Sequence, residues 1–308
     1  MCTYNGAAYL REQLDSIVVQ TRRPDRLVIV DDHSSDESVE IARAFADVAN
    51  FPVEVSVNQH NLGYAKNFER AIELSQGDLI ALSDQDDVWR PLKLEKIAAT
   101  FDSSPSTGLV FSDAELVRGD LSPLDYRVWP AVRFSQASQA QVCRGEAFEV
   151  LLRGNIVTCA TMAFRSTFKD LVLPIEGGLH DAWIALLISA VADVTMLPEP
   201  LIDYRQHPSN QIGARKSSRL RRLSAAKRLQ RSELRRLESA AKRLVEHGGV
   251  SAERLALLDE MIAHLAIRIE LPERRVLRLR SISRDLWTGR YRRLWGTSRS
   301  ALHDLVAS

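Results

Sequence analysis

The sequence predicts an α/β protein: a mainly parallel mixed sheet covered by helices, followed by a separate helical region. Three features point to it. Short runs of Val, Ile and Leu alternate with stretches of helical spacing through residues 7–198. Clusters of carboxylates stand directly after two of those runs, in DDHSSD (Asp31–Asp36) and SDQDD (Ser83–Asp87). Beyond residue 214, apolar residues recur at three- and four-residue intervals among arginines: residues 215–308 hold 23 Lys/Arg against 10 Asp/Glu, and residues 1–214 hold 18 against 30. The chain therefore divides into an acidic body, 1–214, and a basic tail, 215–308.

The elements follow in order. Helical spacing covers Ala7–Val19, Asp36–Val48, Tyr64–Ser75 and Pro91–Phe101; strand-like runs cover Leu27–Val30, Val53–Val57, Leu79–Leu82 and Leu109–Ser112. Parallel neighbours need a crossover between them, and the helices supply it. VTML (Val194–Leu197) and PEPLID (Pro198–Asp203) read as later strands. No apolar run precedes Thr3, so the first strand such a sheet requires is apparently missing, and a truncated or mis-started chain is expected. In the tail, Leu220, Leu223, Leu234, Leu237, Ala241 and Leu244 mark one helix, which Gly248–Gly249 ends. Ser251 is the expected N-cap of a second, with Leu258, Met261, Ile262, Leu265 and Ile269 as its apolar stripe, and Pro272 suits the first turn of a third.

The composition, 45% hydrophobic and 26% charged with a net charge of +1, is that of a folded protein with an ample core. Three cysteines (Cys2, Cys143, Cys159), odd in number and without a CxxC pair, argue against a zinc site or a disulfide framework and for a reducing compartment. No secretory signal is visible, and the longest nearly apolar run, Ala182–Ala192, is well short of the roughly 20 residues of a spanning helix. A cytoplasmic location is expected, with peripheral contact to a membrane left open.

Five segments carry candidate chemistry. In LIALSDQDDVW, Asp84, Asp86 and Asp87 crowd the end of a strand. Like carboxylates this close take up a proton or a cation, and hard divalent ions prefer carboxylate oxygens; a solvated turn is the alternative. TYNG (Thr3–Gly6, with Tyr4 and Asn5) and the pair Asp31/Asp32 lie at strand ends, where an aromatic ring can stack on a base and a carboxylate can accept its imide N–H. Helix capping explains the same aspartates without a ligand. In NQHNLGYAKNF (Asn58–Phe68), Gly63 permits close backbone approach and Lys66 suits a phosphate, although an ordinary helix entry reads the same way. GGLHDAW (Gly177–Trp183) brings Asp181 to the start of an apolar helix, as a general base or as a cap. YRQHPSN (Tyr204–Asn210) offers His207 as a metal ligand or as a plain histidine.

Taken in order, TYNG, DDxSxD, NxGxxxN, DQDD, HDxW and YRxH resemble the inverting family 2 glycosyltransferases of the GT-A fold. Within them the pattern is most similar to bacterial rhamnosyltransferase-type enzymes of surface polysaccharide synthesis. The resemblance covers about residues 1–213. It implies that Thr3, Tyr4 and Asp32 hold the base of a dTDP- or UDP-sugar, with Asp31 and Asn67 supporting the nucleotide. Asp86 and His207 would bind a divalent Mn or Mg ion, Asp84 would reach the ribose or the metal shell, and Asp181 would be the base that ends the family's acidic motif. The implied acceptor is a glycan or a lipid-linked hydroxyl. Two departures stand out: His33 occupies a position where the family usually has Gly, and the base pocket lacks the wall a first strand would give.

Two other classes share parts of the pattern. A sugar-1-phosphate nucleotidyltransferase also pairs an α/β fold with Mg²⁺, but needs a Gly-rich, Arg-bearing loop that TYNGAAYLREQ does not contain. A nucleic-acid-binding protein would use the basic tail, yet that tail has no recognised motif and only Trp287, Tyr291 and Trp295 as aromatics. No nucleic acid partner is expected; the tail helices point to a membrane surface or to an oligomer.

Overall fold

The computed structural model describes residues 1–207, 219–271 and 275–295. The chain forms two compact units, Met1–Ala214 and Arg215–Ser308.

The first unit opens with β1 (Cys2–Thr3), α1 (Ala7–Val18), β2 (Leu27–Asp31), α2 (Ser38–Val48), β3 (Val53–Val57) and α3 (Tyr64–Leu74). Its three strands form a parallel sheet in the order β1-β2-β3. The strand expected to be missing is therefore present, as two residues: Cys2 and Thr3 pair with Val30 and Asp31. Met1 continues the pairing, its ammonium donating to Val28 O and its carbonyl accepting from Val30 N. Two residues are too few to show any periodicity, so the pattern of the sequence does not reveal them. The register sets Thr3, Asp31 and Val57 side by side, so the loops that leave the three strands leave from one level edge.

Next come β4 (Leu79–Ala81), β5 (Val88–Trp89), α4 (Lys93–Ser103), β6 (Thr107–Arg118), β7 (Pro123–Arg127), α5 (Val128–Ala131), α6 (Gln136–Cys143), α7 (Ala147–Arg153), β8 (Met162–Arg165), α8 (Lys169–Val172), α9 (His180–Val191) and β9 (Asp193–Gln206). They build a second sheet in the order β4-β8-β6-β9-β5, with β7 on β6. Here only β6/β9 is parallel; β4/β8, β6/β8, β6/β7 and β5/β9 are antiparallel. The mainly parallel expectation thus holds for the first sheet and gives way in the second, where β7 folds straight back on β6 and no crossover helix intervenes. The sheets meet where Cys2 N donates to Ser83 O at 3.2 Å.

Strand β6 runs past the predicted Ser112 because its buried acid is satisfied locally: Asp113 Oδ1 accepts from the Ala114 and Trp129 amides. VTML and PEPLID form one strand, β9, whose Pro198 and Pro200 fall at a register shift against Ser112 and Asp113, where a proline is tolerated. Leu10, Leu14 and Ile17 of α1 share a core with Ile29, Phe45, Trp89 and Ile202, which ties both sheets to one helix. Helix α9 is apolar on every side and buried throughout Ala182–Ala190, and the Trp183 indole N–H is satisfied by Val172 O at 2.8 Å.

The second unit consists of α10 (Arg219–His247), α11 (Ala252–Ile269), α12 (Arg275–Trp287) and α13 (Arg290–Trp295). Gly248 and Gly249, both at φ 75°, end α10, and Ser251 caps α11 by accepting from Arg254 N. The buried residues are Leu237, Ala240 and Leu244 on α10 and Leu258, Met261, His264 and Leu265 on α11. Pro272 and the side chains of Leu220 and Leu223 lie outside the described residues. Among the described residues, no helix is long and apolar enough to cross a membrane.

Gly108, near the start of β6, has no room for a side chain: an added Cβ would lie 2.6 Å from Ala192 Cβ and 2.8 Å from both Ile188 Cγ2 and Phe168 Cε2. Gly108→Ala is expected to destabilise the protein by about 1–3 kcal/mol through overpacking. A lower urea midpoint at unchanged slope would show this, and an unchanged midpoint would contradict it.

Candidate active site

The level edge of the first sheet collects the first three motifs, and their polar side chains mostly hold one another. Asp31 is fully buried and accepts from Thr3 Oγ1 at 2.7 Å, Ser34 N at 2.8 Å and Ser34 Oγ at 2.6 Å. Asp32 accepts from Asn58 Nδ2 at 2.8 Å, Leu62 N at 2.8 Å and Gly63 N at 2.9 Å. Asn67 donates to Val30 O at 2.9 Å and accepts from Asn58 Nδ2 at 2.9 Å, fixing α3 against the strand ends. Asn5, at φ 47°, donates from its amide to Ser34 Oγ and accepts from Ser35 N. His33 does adopt the left-handed conformation, at φ 66°, where Gly would be unstrained. Gly63, at φ 82°, caps α3 with open space around it, and its backbone angle by itself favours glycine. Lys66 donates to Glu69, at 2.7 and 2.8 Å. Tyr4 keeps 37% exposure at that edge, as a stacking ring needs.

The DQDD loop attaches to this edge through a residue the sequence did not single out. Gln85 clamps the Tyr4 backbone from both sides, accepting from Tyr4 N at 2.8 Å and donating to Tyr4 O at 3.1 Å. Its amide lies where a side chain at Gly6 would be, 2.1 Å from an ideal Cβ.

Three acids follow one another in this loop, each in different surroundings. Burial, reinforced by Asp86 and Asp181 and opposed by the chain's N-terminal ammonium and Lys93, pushes the Asp84 carboxyl up to about 7. Asp86 Oδ2 sits 2.8 Å from His207 Nε2. Asp87 is buried and accepts from Arg205 N at 3.0 Å; burial first, then Asp86 and Asp84, pushes it well above the ordinary carboxylate range. Behind the loop, burial pulls the Lys93 ammonium down to about 7 against the raising effect of Asp87, Cys159 and Asp84. That ammonium donates to Ala160 O at 2.7 Å and lies 3.5 Å over the Trp89 ring.

Asp181 reaches the same place from α9, since its charge contributes to the raised Asp84 carboxyl. It stands in the first turn, and Leu179, not Asp181, takes the cap position. Asp181 Oδ1 accepts from the Ala182 amide at 2.6 Å. The preceding His180 is a packing residue: its ring stacks on Phe68 at 4.2 Å and 12°, and burial drags its imidazole down to about 3. This stack locks α9 onto α3.

The Asp86–His207 separation of 2.8 Å is that of a hydrogen bond. The same two atoms could hold a divalent ion: the carboxylate suits Mn or Mg, and the imidazole favours a transition ion over Mg. Among the described residues no cluster of three or more His, Cys, Asp or Glu side chains exists, so the remaining ligands would have to come from a diphosphate and water.

The family model for glycosyl transferase family 2 matches residues 1–118, the segment that holds the level edge and the DQDD loop. Residues 1–118, under half of the chain, carry the pattern of this family. An uncharacterized Mycobacterium tuberculosis protein is 28% identical over 220 residues, 67% of this chain and 57% of the relative, so the chain spans little more than half of that relative's length. The dTDP-rhamnosyl transferase RfbG of Shigella flexneri is 29% identical over 231 residues, 70% of this chain and 74% of that one. Among solved structures, S. aureus TarS 1–349 in complex with UDP-GlcNAc superposes with a TM-score of 0.60 at 16% identity, covering 99% of this chain and 78% of that one. The Pyrobaculum calidifontis mannosyltransferase PcManGT, in complex with GDP-Man and Mn²⁺, gives 0.53 at 16% identity over 99% and 84%. These likenesses show the fold, GT-A.

The raised Asp84 carboxyl has a measurable consequence. A carboxyl whose folded value exceeds its ordinary 3.8 stabilises the fold fully below that value, and the contribution is lost as pH rises through about 7. Asp84→Asn cannot ionise, so in metal-free buffer its urea midpoint should gain on wild type between about pH 4 and about pH 8. Parallel pH profiles for the two proteins would contradict the assignment.

Proposed function

We propose that this chain is an inverting, metal-dependent family 2 glycosyltransferase of cell-surface polysaccharide synthesis. It moves a sugar, with rhamnose the first candidate, from a dTDP- or UDP-linked donor to a hydroxyl of a glycan or lipid-linked acceptor. One observation carries the reading: a carboxylate–imidazole pair, Asp86–His207, and a second carboxylate, Asp181, come from distant elements, with Asp86 and Asp181 close enough for their charges to raise the partly exposed Asp84 carboxyl. The name of the Shigella relative, a dTDP-rhamnosyl transferase, supports the donor class, and the Mn²⁺ in the mannosyltransferase complex supports the ion.

The residues divide the work by position. Tyr4 stands at the open edge for the base with Thr3 buried behind it on Asp31, while Asp32, already braced by two loop amides and Asn58, offers it a carboxylate oxygen. Asp31, Asn5 and Asn67 hold the loops that shape the nucleotide site. A divalent ion held by Asp86 and His207 would neutralise charge on the departing diphosphate. Asp181 takes the proton of the acceptor hydroxyl as its oxygen bonds to the anomeric carbon. The bond to the diphosphate breaks on the opposite face, its electron pair leaves with the phosphate oxygen, and the single displacement inverts the centre.

Asp181→Asn separates a base from a structural residue, because Asn retains an oxygen for the Ala182 amide. Transfer from dTDP-rhamnose or UDP-sugars is expected to fall by roughly 10²–10⁴-fold, with nucleotide affinity unchanged by calorimetry. Near-normal transfer by the folded, donor-binding variant would place the base elsewhere.

The helical unit serves in this reading to hold the enzyme at the cytoplasmic face of an anionic membrane, near a lipid-linked acceptor. Trp287 is 90% exposed on α12, with Leu279 at 50% and Leu286 at 43%, and the unit is rich in arginine. Co-sedimentation should favour phosphatidylserine vesicles over neutral ones. Equal recovery with both, together with dimer formation in solution, would assign these helices to a second copy of the chain.

A further inference from the structure

We infer that Arg205 is the positioning residue of the Asp86–His207 pair, gripping both members from a site that touches neither donor nor acceptor. The inference rests on the proposed role of that pair in holding a divalent ion. Arg205 has a side chain only 2% exposed, the buried cation of β9. Removing a guanidinium from water is unfavourable unless its donors are matched, and here each direction of the fork is matched. Nε donates to Asp86 O at 2.7 Å, one terminal nitrogen to Gly119 O just beyond β6, and the other to the Glu12 carboxylate on α1. The guanidinium carbon also lies 4.6 Å over the Tyr9 ring.

Each contact leads to the pair. The Nε bond fixes the peptide of Asp86, whose carboxylate faces His207. Tyr9, sandwiched against the guanidinium, presents its ring 4.5 Å from the His207 ring at 35°. The Arg205 amide is held by Asp87 Oδ1 at 3.0 Å, so the backbone that delivers His207 two residues later is anchored to the same DQDD loop. The β5/β9 pairing already brings the end of the loop to this strand, and Arg205 adds the side-chain bonds that fix the Asp86 peptide and the Tyr9 ring around the pair. Lysine cannot replace it: a single ammonium cannot aim at a carbonyl, a second carbonyl and a carboxylate in three directions while lying flat on an aromatic ring.

An arginine that merely stabilised the fold would affect binding with and without metal alike; a positioning residue acts on the metal alone. The test measures Mn²⁺ binding by electron paramagnetic resonance in the presence of UDP, together with UDP affinity in EDTA and the urea midpoint. Arg205→Lys and Tyr9→Leu are expected to weaken Mn²⁺ binding about tenfold to a hundredfold, the usual range for groups that orient metal ligands, while UDP affinity in EDTA is unchanged. Tyr9→Phe keeps the ring and should restore binding. Glu12→Ala, at a half-exposed carboxylate, should give a smaller loss in a stably folded protein and decides the matter if Arg205→Lys does not fold. Wild-type Mn²⁺ binding in Tyr9→Leu and Glu12→Ala, or equal losses with and without metal, would overturn the inference. Sugar transfer is not read in this experiment: a wild type that binds Mn²⁺ with UDP but transfers nothing sinks the proposed function alone, and one that binds no Mn²⁺ sinks this inference.

Discussion

Three parallel strands finish level, at Thr3, Asp31 and Val57, and the first three candidate segments hang from that edge, with the DQDD loop bonded to it through Gln85. The alignment places the following residues, Tyr4, Asp32 and Asn58, at the same height, where acids meet the amides of neighbouring loops. Asp31 and Asp32 close these loops by accepting from Ser34, Leu62 and Gly63, which is cheaper for a buried carboxylate than any unpaired arrangement. A slip of one residue in this register would turn each of these groups to the other face of the sheet.

The second sheet solves a different problem, the crowding of negative charge at Asp84, Asp86 and Asp87. Each acid is relieved separately: Asp84 by a raised proton affinity, Asp86 by the histidine opposite it, Asp87 by the Arg205 amide. Two buried cations, Lys93 and Arg205, back the loop and hold backbone carbonyls at Ala160 and Asp86. The loop is thus stiffened from behind while Asp84 and Asp86 keep their partial exposure on the front.

Much of this was legible in the sequence, for definite reasons. The runs at Leu27, Val53 and Leu79 and the helical spacing from Ala7, Tyr64 and Pro91 are strong because these elements bury their apolar residues. Of the candidate residues, Asp86 lies against His207, and the charges of Asp86 and Asp181 act on Asp84, contacts between segments far apart in the sequence. The hydrogen-bond partners of other candidates are another matter. Asp31, Asp32 and Asn67 are residue types that serve a ligand or a backbone group equally well, and only the register shows which backbone groups they face. Gln85 and Arg205 look like ordinary polar residues until a distant backbone is folded against them. β1 was invisible because a two-residue strand has no period, and the end of β6 because acids such as Asp113 signal a loop unless a neighbouring amide claims them.

The clamp of Gln85 on Tyr4 makes positions 6 and 85 a single evolutionary unit. Any residue but glycine at position 6 drives its Cβ into the Gln85 amide, and any shorter residue at position 85 abandons both bonds to the Tyr4 backbone. A change at either site alone disturbs how the Tyr4 backbone is held. Substitutions at the two positions are therefore coupled, the cost of each depending on the residue that stands at the other.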